Sequence, residues 1–540
     1  MPAGRSRSER YRIARVFAQR GLVATSHSLA AQAGLRILME GGNAVDAAIA
    51  TAACLVVVEP TSCGLGGDAF AIVWDGERLH GLNASGPAPA ALDAEALRRR
   101  GLAQVPTEGW ESVTVPGVVA GWAALARRWG SMPLTRVLAP AIEYAERGHP
   151  VPVRTALLWQ AAAARFGQRQ DFREAFLPGG RAPRAGEIVR QPDQARTLRL
   201  IAESGGEAMY RGPLALEIAR YAARTGGYLT LEDLSAYEAE WVDPLSTRYR
   251  DVEVWELPPN GQGVAALLAL GIASRFDPAP AGPAAGGSRF PDARWSHLLA
   301  ESLRLALHEA YQHVADPRRA PVPVERFTDP AFAAALALRI DPGHAIPEPI
   351  PDRSAAGGTV YLCTADEQGR MVSFIQSNFY GFGSGVVVPG TGIALQNRGA
   401  GFNLIPGHPN ELAPGKRPFH TIIPGFLTRK GRPLAAFGVM GGDMQAQGHV
   451  QVVSALVDGG LDPQAALDLP RFRVMPGGHL ALEEGFDPEL ARALAGMGHP
   501  ISTGQAPLGF GGGQIVWRDP ESGVYVGGSD PRKDGQAAGW

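Results

Sequence analysis

The stretch from Asp341 to Ser377 reads DPGHAIPEPIPDRSAAGG followed by TVYLCTADEQGRMVSFIQS, and its two parts differ sharply in character. Residues 341–358 are rich in proline and end in two glycines, a composition typical of an exposed linker. Residues 359–366 and 371–377 are runs of β-branched and aromatic side chains, and the short Glu367–Gly369 segment between them predicts a β-hairpin. The sequence therefore predicts that the chain leaves a linker and enters a sheet at Thr359.

This boundary also separates two kinds of predicted secondary structure. Helical periodicity dominates before it, with helices expected over residues 28–40, over 116–201 with breaks near Pro150 and Pro178, and around 295–310. Short strands are expected after it, at 393–395, 434–440, 514–517 and 524–526, with helices at 449–457 and 463–469. The low-complexity segment 277–288 is expected to form a surface loop. A helix-rich part thus precedes a sheet-rich part, and the division falls near residue 358.

One helix near the N-terminus is predicted to lie inside the protein. Asn43 follows the stop signal Gly41–Gly42 and can cap a new helix, with Asp46 three residues on completing a capping box. That helix is apolar on nearly every face, and a helix without a polar face belongs in the interior. Residues 69–74 and 79–82 are expected to form a hairpin behind it.

Composition excludes several classes of function. The 540 residues carry 51 Lys and Arg against 53 Asp and Glu, so the chain lacks the basic surface expected of a nucleic-acid binder. The longest apolar stretch, 47–58, is too short to cross a bilayer. The N-terminal segment lacks the apolar run of a signal peptide. We therefore expect a cytoplasmic protein with no nucleic-acid and no membrane partner.

Neither a metal nor a cofactor is predicted. Cys54, Cys63 and Cys363 form neither a disulfide framework nor a zinc motif. The HEAYQH segment places His308 and His313 five residues apart, which puts the imidazoles on different helix faces, whereas a zinc-protease pair is four apart. The glycine clusters at 64–67 and 381–385 lack the spacing of a phosphate-binding loop, and close backbone packing explains them better.

Thr359 is a candidate nucleophile. If the bond before it broke, its hydroxyl could attack a carbonyl while its own α-amine served as the base. An α-amine has a pKa of about 7.7–8.0 and is partly neutral at cellular pH. Gly-Gly-Thr also occurs by chance, so the local pattern alone does not decide between a nucleophile and an ordinary first residue of a strand.

Several longer motifs resemble, in order, those of the γ-glutamyltransferase family. They are GLVATSHSLAAQAGLRILMEGGNAVDAAIATAACLVVVEPTSCGLGGDAF at 21–70, AMYRGPLALEIARY at 208–221, GGYLTLEDLSAYEAEWVDPLSTRYR at 226–250, ELPPNGQG at 256–263, TVYLCTADEQGRMVSF at 359–374, PGKRPFHTIIP at 414–424, GVMGGD at 438–443 and GGSDPR at 527–532. The resemblance runs through almost the whole chain.

The resemblance implies a fold and a maturation step. The fold is that of the N-terminal-nucleophile hydrolases, an α+β four-layer αββα sandwich. The family is made as a proenzyme that cleaves itself before the nucleophilic threonine. Here the cut is expected between Gly358 and Thr359, giving a large subunit, 1–358, and a small subunit, 359–540, that form one intertwined structural domain and a heterodimer.

The resemblance also implies catalytic roles. Thr359 matches the nucleophile, and Ser377 matches a threonine that hydrogen-bonds the nucleophile's amine and assists processing. Gly441 and Gly442 match the pair whose backbone N–H groups form the oxyanion hole, where only a residue without a side chain allows close approach. A plain turn after the strand 434–440 is the alternative interpretation of the two glycines.

Departures from the family pattern concern the γ-glutamyl group. The segment 82–91 lacks the arginine that clamps its α-carboxylate, and Gly401 replaces the acidic residue that holds its amine. Phe379 replaces an asparagine. Because charge-assisted hydrogen bonds contribute about 1.5–3 kcal/mol each, these losses argue against cleavage of glutathione.

Other residues are expected to bind substrate instead. Arg398 stands where the family has a neutral glutamine, and His420 and Thr421 replace a serine pair; with Asn397 they are the predicted substrate-binding residues. This pattern resembles a branch of the family that includes oxamate amidohydrolase, and predicts a small carboxylated amide as substrate, with Arg398 as the anion anchor. A structural ion pair of Arg398 with an acid such as Asp443 is equally open.

The segment 402–416 is short where some family members carry a lid, which favours hydrolysis over transfer. The best interpretation is therefore a self-processing amidohydrolase with an N-terminal Thr359. Two alternatives remain at this point: a true γ-glutamyl hydrolase or transferase acting on glutathione, and a cleavage-dead binding or scaffold protein.

Overall fold

The computed structural model describes residues 15–278, 290–347, 350 and 358–540. Most of the predicted loop 277–288 lies outside the described residues. Residues 348–349 and 351–357 of the predicted linker also lie outside the described residues.

Most strands of the described residues are short. Their bounds are β1 Val16–Ala18, β2 Gly21–Thr25, β3 Asp68–Trp74, β4 Leu79–Ala84, β5 His149–Pro150, β6 Ile188–Val189, β7 Glu240–Val242, β8 Leu245–Tyr249, β9 Val252–Glu256, β10 Gly358–Asp366, β11 Met371–Phe379, β12 Val387–Val388, β13 Ile393–Ala394, β14 Gly425–Arg429, β15 Arg432–Met440, β16 Phe472–Val474, β17 Leu480–Glu483, β18 Ile501–Gln505, β19 Gly512–Arg518, β20 Tyr525–Ser529 and β21 Gln536–Gly539.

The helices of the described residues range from one turn to nearly six. Their bounds are α1 Ser28–Met39, α2 Ala44–Val58, α3 Ala94–Arg99, α4 Val118–Trp129, α5 Leu134–Val137, α6 Ala139–Arg147, α7 Val153–Phe166, α8 Gln170–Phe176, α9 Pro192–Glu203, α10 Pro213–Thr225, α11 Leu231–Ser235, α12 Gly263–Ala273, α13 Ala293–His313, α14 Pro330–Ala337, α15 Met444–Val457, α16 Pro463–Asp468 and α17 Pro488–Gly496.

Two antiparallel sheets of seven strands form the centre of the molecule. Sheet I has the order β21-β2-β10-β11-β3-β4-β7, and sheet II has the order β1-β20-β19-β15-β14-β9-β8. The predicted hairpin is β10 and β11, whose register pairs Tyr361 with Ile375. Strand β10 lies between β2 and β11, so the segment that begins at Gly358 is central in its sheet.

The two sheets pack face to face between two layers of helices. Tyr361 and Ile375 of sheet I meet Phe426 and Ala436 of sheet II in the inner core. Helices α2 and α4 cover the outer face of sheet I, and α12 and α15 cover that of sheet II. This layering confirms the predicted α+β class and its four-layer αββα sandwich.

Helix α2 is buried along its whole length, as its composition predicts. The Asn43 side chain accepts from the backbone N–H groups of Val45 and Asp46, and Asp46 accepts in return from Asn43 N–H. The capping box is therefore present. In the described residues no helix is long and apolar enough to pass through a lipid bilayer.

The division into a helix-rich and a sheet-rich part underestimates the strands before residue 358. Sheet I takes β2, β3, β4 and β7 from before that residue, and sheet II takes β1, β8 and β9. In both sheets these strands pair with strands from after it, as β2 next to β10 and β9 next to β14 show. The helical region predicted over 116–201 is interrupted near Pro150 and Pro178 as expected, and further breaks divide it into six helices, α4–α9.

Candidate active site

Three polar side chains form a row at one end of the inner face of sheet I. Tyr361 points into the space between the sheets, and side chains alternate along a strand, so Thr359 points the same way. In the ladder of β11 with β3, Ser377 lies directly opposite Asp68. Thr359, Ser377 and Asp68 are all buried. Adjacent strands therefore bring the predicted nucleophile, a second hydroxyl and a carboxylate together.

A chain of hydrogen bonds joins Thr359 to the bond before it. Thr359 Oγ1 donates to Ser377 Oγ at 3.2 Å, and Ser377 Oγ donates to the carbonyl oxygen of Gly358 at 2.7 Å. The backbone N–H of Phe379 donates to the same Ser377 oxygen at 2.7 Å. Ser377 thus contacts both the hydroxyl that would attack and the carbonyl that would be attacked.

Local backbone geometry explains why glycine precedes Thr359. A β carbon at Gly358 would lie 2.9 Å from the carbonyl oxygen of Thr61, closer than such contacts normally occur. The register of β10 against β11 also shifts between Gly358 and Val360. Opposite this irregularity, Phe379 has a φ of 75°, which is uncommon for a bulky residue. The backbone is therefore irregular at the expected cut.

Gly441 and Gly442 directly follow β15, which packs across β10 and β11. Their φ values are 130° and 61°, and glycine adopts both more readily than other residues. The Gln262 side chain donates to the carbonyl oxygens of Gly442, at 3.0 Å, and of Thr421, at 2.6 Å. The glycine pair is thereby fixed relative to Thr421, one of the predicted substrate-binding residues.

Arg398 is fully buried beside Ser377. Its Nη1 donates to Thr421 Oγ1 at 2.9 Å, and its Nη2 donates to Ser377 Oγ at 3.3 Å. Its guanidinium carbon lies 4.1 Å from the centre of the Phe379 ring, a cation–π contact. Burial lowers the pKa of Arg398 to about 9, while nearby Asp68 and Asp443 oppose this change. The guanidinium is therefore still charged at neutral pH.

His420 lies behind this cation and pairs with Asp68. The distance from His420 Nε2 to Asp68 Oδ2 is 2.9 Å, and both side chains are fully buried. Burial and the nearby Arg398 charge lower the pKa of His420 well below its usual value, so the ring is neutral. Burial raises the pKa of Asp68 to about 7, although Arg398 opposes this change.

The amide of Asn397 is occupied by the backbone. Its Oδ1 accepts from the N–H of Tyr380 at 3.0 Å, and its Nδ2 donates to the carbonyl oxygen of Thr107 at 2.7 Å. Asn397 therefore joins two loops near the row, whereas Arg398, Thr421 and His420 surround Ser377 and Asp68 more directly.

The departures from the family pattern have visible causes. A β carbon at Gly401 would lie 2.7 Å from the carbonyl oxygen of Phe419, so this backbone leaves no room for an acidic side chain there. In the segment 82–91, the N–H of Gly86 donates to Asp68 Oδ1 at 3.1 Å. The segment that lacks the arginine thus contacts a buried carboxylate instead.

Two residues of the site, Asp68 and Gln262, were not predicted from the sequence. Asp68 is the only charged residue in the buried strand β3 and directly follows the glycine cluster 64–67. A charge at the start of a wholly apolar strand is a signal that could have been used. Gln262 lies in the ELPPNGQG motif, where nothing distinguishes its role before the fold is known.

A separate buried cluster contains three residues with metal-ligating side chains: His297, Glu301 and His499. The two histidines are joined by a hydrogen bond of 2.8 Å. Glu301 accepts from Arg304 Nε at 3.1 Å and from the N–H of Ile346 at 2.9 Å. Because the carboxylate is already paired with a cation, we interpret the cluster as a hydrogen-bond network.

Comparison with known proteins gives consistent matches along the chain. The gamma-glutamyltranspeptidase family model matches residues 30–540. The oxamate amidohydrolase proenzyme of Klebsiella pneumoniae is 36% identical, covering 96% of this chain and 98% of the relative. The glutathione hydrolase-like YwrD proenzyme of Bacillus subtilis is 35% identical, covering 97% and 99%.

The solved structures agree with the sequence matches. The crystal structure of cephalosporin acylase from Bacillus halodurans superposes with a TM-score of 0.93 at 49% identity, and covers all of this chain and 99% of the acylase. These relatives are enzymes, which removes the basis for the scaffold alternative. The chain belongs to the gamma-glutamyltranspeptidase family of N-terminal-nucleophile enzymes.

Proposed function

We propose that this chain is a self-processing amidohydrolase whose substrate is a small amide with a carboxylate next to the scissile carbonyl. The observation that carries the proposal is the position of Arg398. Its Nη2 and the nucleophilic oxygen of Thr359 both bond to one atom, Ser377 Oγ. A carboxylate bound to this guanidinium would lie very close to the carbonyl under attack.

Maturation would come first. Thr359 Oγ adds to the carbonyl carbon of Gly358, the C–N bond breaks, and the hydroxyl proton ends on the Thr359 nitrogen. Ser377 Oγ, 2.7 Å from the Gly358 oxygen, stabilises the negative charge that develops there. Water then hydrolyses the resulting ester and leaves Thr359 with a free amine. Relatives described as proenzymes support this order of events.

The same atoms would then act on substrate. Thr359 Oγ attacks the amide carbonyl, and the new α-amine takes the hydroxyl proton and passes it to the leaving amine. The N–H groups of Gly441 and Gly442 are the proposed oxyanion donors. The acyl-enzyme is released by water, so no cofactor is required.

The position of the anchor favours a short acyl group over a γ-glutamyl group. In a γ-glutamyl group, three carbon atoms separate the α-carboxylate from the scissile carbonyl. In oxamate, the carboxylate is bonded directly to the scissile carbonyl. Gly401 leaves no space for an acid that would hold the glutamyl amine. Both observations support oxamate-like amides over glutathione.

A second candidate is the side-chain amide of a cephalosporin. The specific observation in its favour is the 49% identity to cephalosporin acylase over the whole chain. The two candidates share the proposed chemistry and differ in the size of the leaving amine.

Substrate assays on the processed enzyme test the proposal. Ammonia release from oxamate and from neutral oxamide is compared with cleavage of γ-glutamyl-p-nitroanilide and of a cephalosporin with a carboxylated side chain. We expect Arg398→Ala to raise KM for oxamate at least about tenfold, the loss of one charge-assisted hydrogen bond, with little change for oxamide. Arg398→Lys, which keeps the charge, is the matched control. An unchanged KM for oxamate, or faster cleavage of the γ-glutamyl substrate, would contradict the proposal.

A further inference from the structure

The contact that places Arg398 beside the nucleophile is already made in the intact chain. Before any cleavage, Arg398 Nη2 donates to Ser377 Oγ at 3.3 Å, and Ser377 Oγ donates onward to the Gly358 oxygen at 2.7 Å. The cation, the hydroxyl and the carbonyl thus form one continuous chain of donors and acceptors. At this stage, among the described residues, the carbonyl that accepts from the Ser377 hydroxyl is that of the chain's own Gly358.

Such a chain is stronger than its separate bonds. A hydroxyl that accepts from a charged donor becomes a better donor itself, because each hydrogen bond polarises the next. Electrostatic interactions are stronger in a low-dielectric interior, and Ser377 and Arg398 are both fully buried. The positive charge of Arg398 therefore polarises the Ser377 hydroxyl, which then donates a stronger hydrogen bond to the Gly358 oxygen. This is the atom on which negative charge develops when Thr359 attacks.

The surroundings hold Arg398 in this orientation. Thr421 accepts from Nη1, and the Phe379 ring lies against the face of the guanidinium. Asp68 lies nearby without occupying the guanidinium, because its oxygens accept from Gly86 N–H, Gln396 Nε2 and His420 Nε2. The Nη2 of Arg398 therefore stays directed at Ser377.

We propose that Arg398 is a positioning residue for autocleavage, which polarises the Ser377 hydroxyl toward the Gly358 carbonyl before it ever meets a substrate. The inference rests on the proposed cut between Gly358 and Thr359. In the step itself, the Thr359 Oγ to Gly358 carbon bond forms, the Gly358–Thr359 C–N bond breaks, and the proton moves from Oγ to nitrogen. One cation would thus serve two consecutive tasks, first maturation and then substrate binding.

The test measures the rate at which the purified intact chain becomes two fragments. A denaturing gel monitors the fragments over time, and mass spectrometry detects an N-terminal Thr359. We expect Arg398→Gln to slow this step at least tenfold, and Arg398→Lys to stay within about threefold of the parent. Arg471→Gln is the matched control, since Arg471 is also fully buried but bonds to Asp530 instead. It should process at the parent rate in chains that fold.

A double variant separates polarisation through Ser377 from a general structural effect. If Arg398 acts through this hydroxyl, Ser377→Ala alone is slow, and adding Arg398→Gln slows it no further. Equal rates for Arg398→Gln and the parent, or fully additive slowing in the double variant, would overturn the inference. Because no substrate is added, these results are independent of substrate identity. A parent chain that never forms an N-terminal Thr359 would instead reject the proposed function.

Discussion

Two buried aspartates of this protein have opposite pKa shifts. Asp530 lies against two guanidinium groups, with Arg471 Nη2 at 2.6 Å and Arg532 Nη1 at 3.0 Å. Burial alone would raise its pKa, but the two arginines outweigh burial and lower it. Within the described part of the chain, the donors to Asp68 are neutral, and burial raises its pKa to about 7. Direct contact with a cation decides the sign.

These shifts predict opposite pH dependences of stability. The folded pKa of Asp68 is above the unfolded value, so its contribution is lost as pH rises through about 7. The stability lost in Asp68→Asn should therefore be smaller at about pH 8 than at about pH 5, by on the order of 2 kcal/mol. Asp530→Asn should behave oppositely, because a lowered pKa contributes stability above the unfolded value, about 3.9, and loses it in acid.

Urea unfolding of both variants in a Thr359→Ala background, where all chains stay intact, measures these differences. The same sign of pH dependence for the two aspartates would contradict the interpretation.

At this scale, the sequence suggested roles for some residues of the site and not for others. Thr359, Gly441 and Gly442 stand in motifs that resemble those of the family, and Ser377 follows one of these motifs by three residues. Asp68 could not be assigned a role, since its partners Gln396 and His420 are more than 300 residues away along the chain. The contact of Arg398 with Ser377 likewise depends on how a short turn after β13 folds back on β11, which no local pattern specifies.

At the scale of elements, helices α1 and α2 pack closely in the outer layer of sheet I. A β carbon at Gly34 would lie 2.2 Å from Thr51 Oγ1 and 3.1 Å from the carbonyl oxygen of Ala47. Thr51 cannot move easily, because its hydroxyl bonds to Ala47 and the whole of α2 is buried. Glycine thus sets the distance between these helices.

We expect Gly34→Ala to lower the free energy of unfolding by about 1–3 kcal/mol, the usual cost of overpacking a core. Gly496→Ala is the matched control, because Gly496 also lies in a helix but has no atom within 4 Å of the added carbon. That change should be neutral or slightly stabilising. Thermal unfolding of both variants measures the difference, and equal effects would show that the close contact relaxes without cost.

Elements with strong local signals were predicted well from the sequence. The capped helix α2 and the hairpins β3–β4 and β10–β11 have clear periodicity and turn residues. Short strands such as β7 and β8 were missed because they are only partly buried and have no alternating pattern. They are strands because sheet neighbours pair with them, which is a property of the whole fold.

At the scale of the whole molecule, the proposed cut would break one covalent bond and no sheet. Strand β10 begins at the cut and pairs with β2 on one side and β11 on the other. Strand β11 also pairs with β3, and β14 pairs with β9. The two fragments therefore share backbone hydrogen bonds in both central sheets.

The fragments, 358 and 182 residues long, should co-elute from a sizing column at the size of the uncut chain. Denaturant should be needed to separate them, because both central sheets would have to come apart. Native size exclusion followed by a denaturing gel of the same fraction measures this. Intact Thr359→Ala is the single-band control, and dissociation on simple dilution would contradict the expectation.

Both central sheets contain strands from both sides of Gly358, and this affects how the enzyme can recover from unfolding. A single chain finds its neighbours at a rate independent of concentration, whereas two severed chains must meet before either sheet can be rebuilt. Heat or denaturant would thus cause a loss that dilute conditions do not reverse. The resistance of the mature enzyme to inactivation is then set by its unfolding rate, which is a kinetic property. The uncut precursor can refold, so its stability is still set by the equilibrium between folded and unfolded chain.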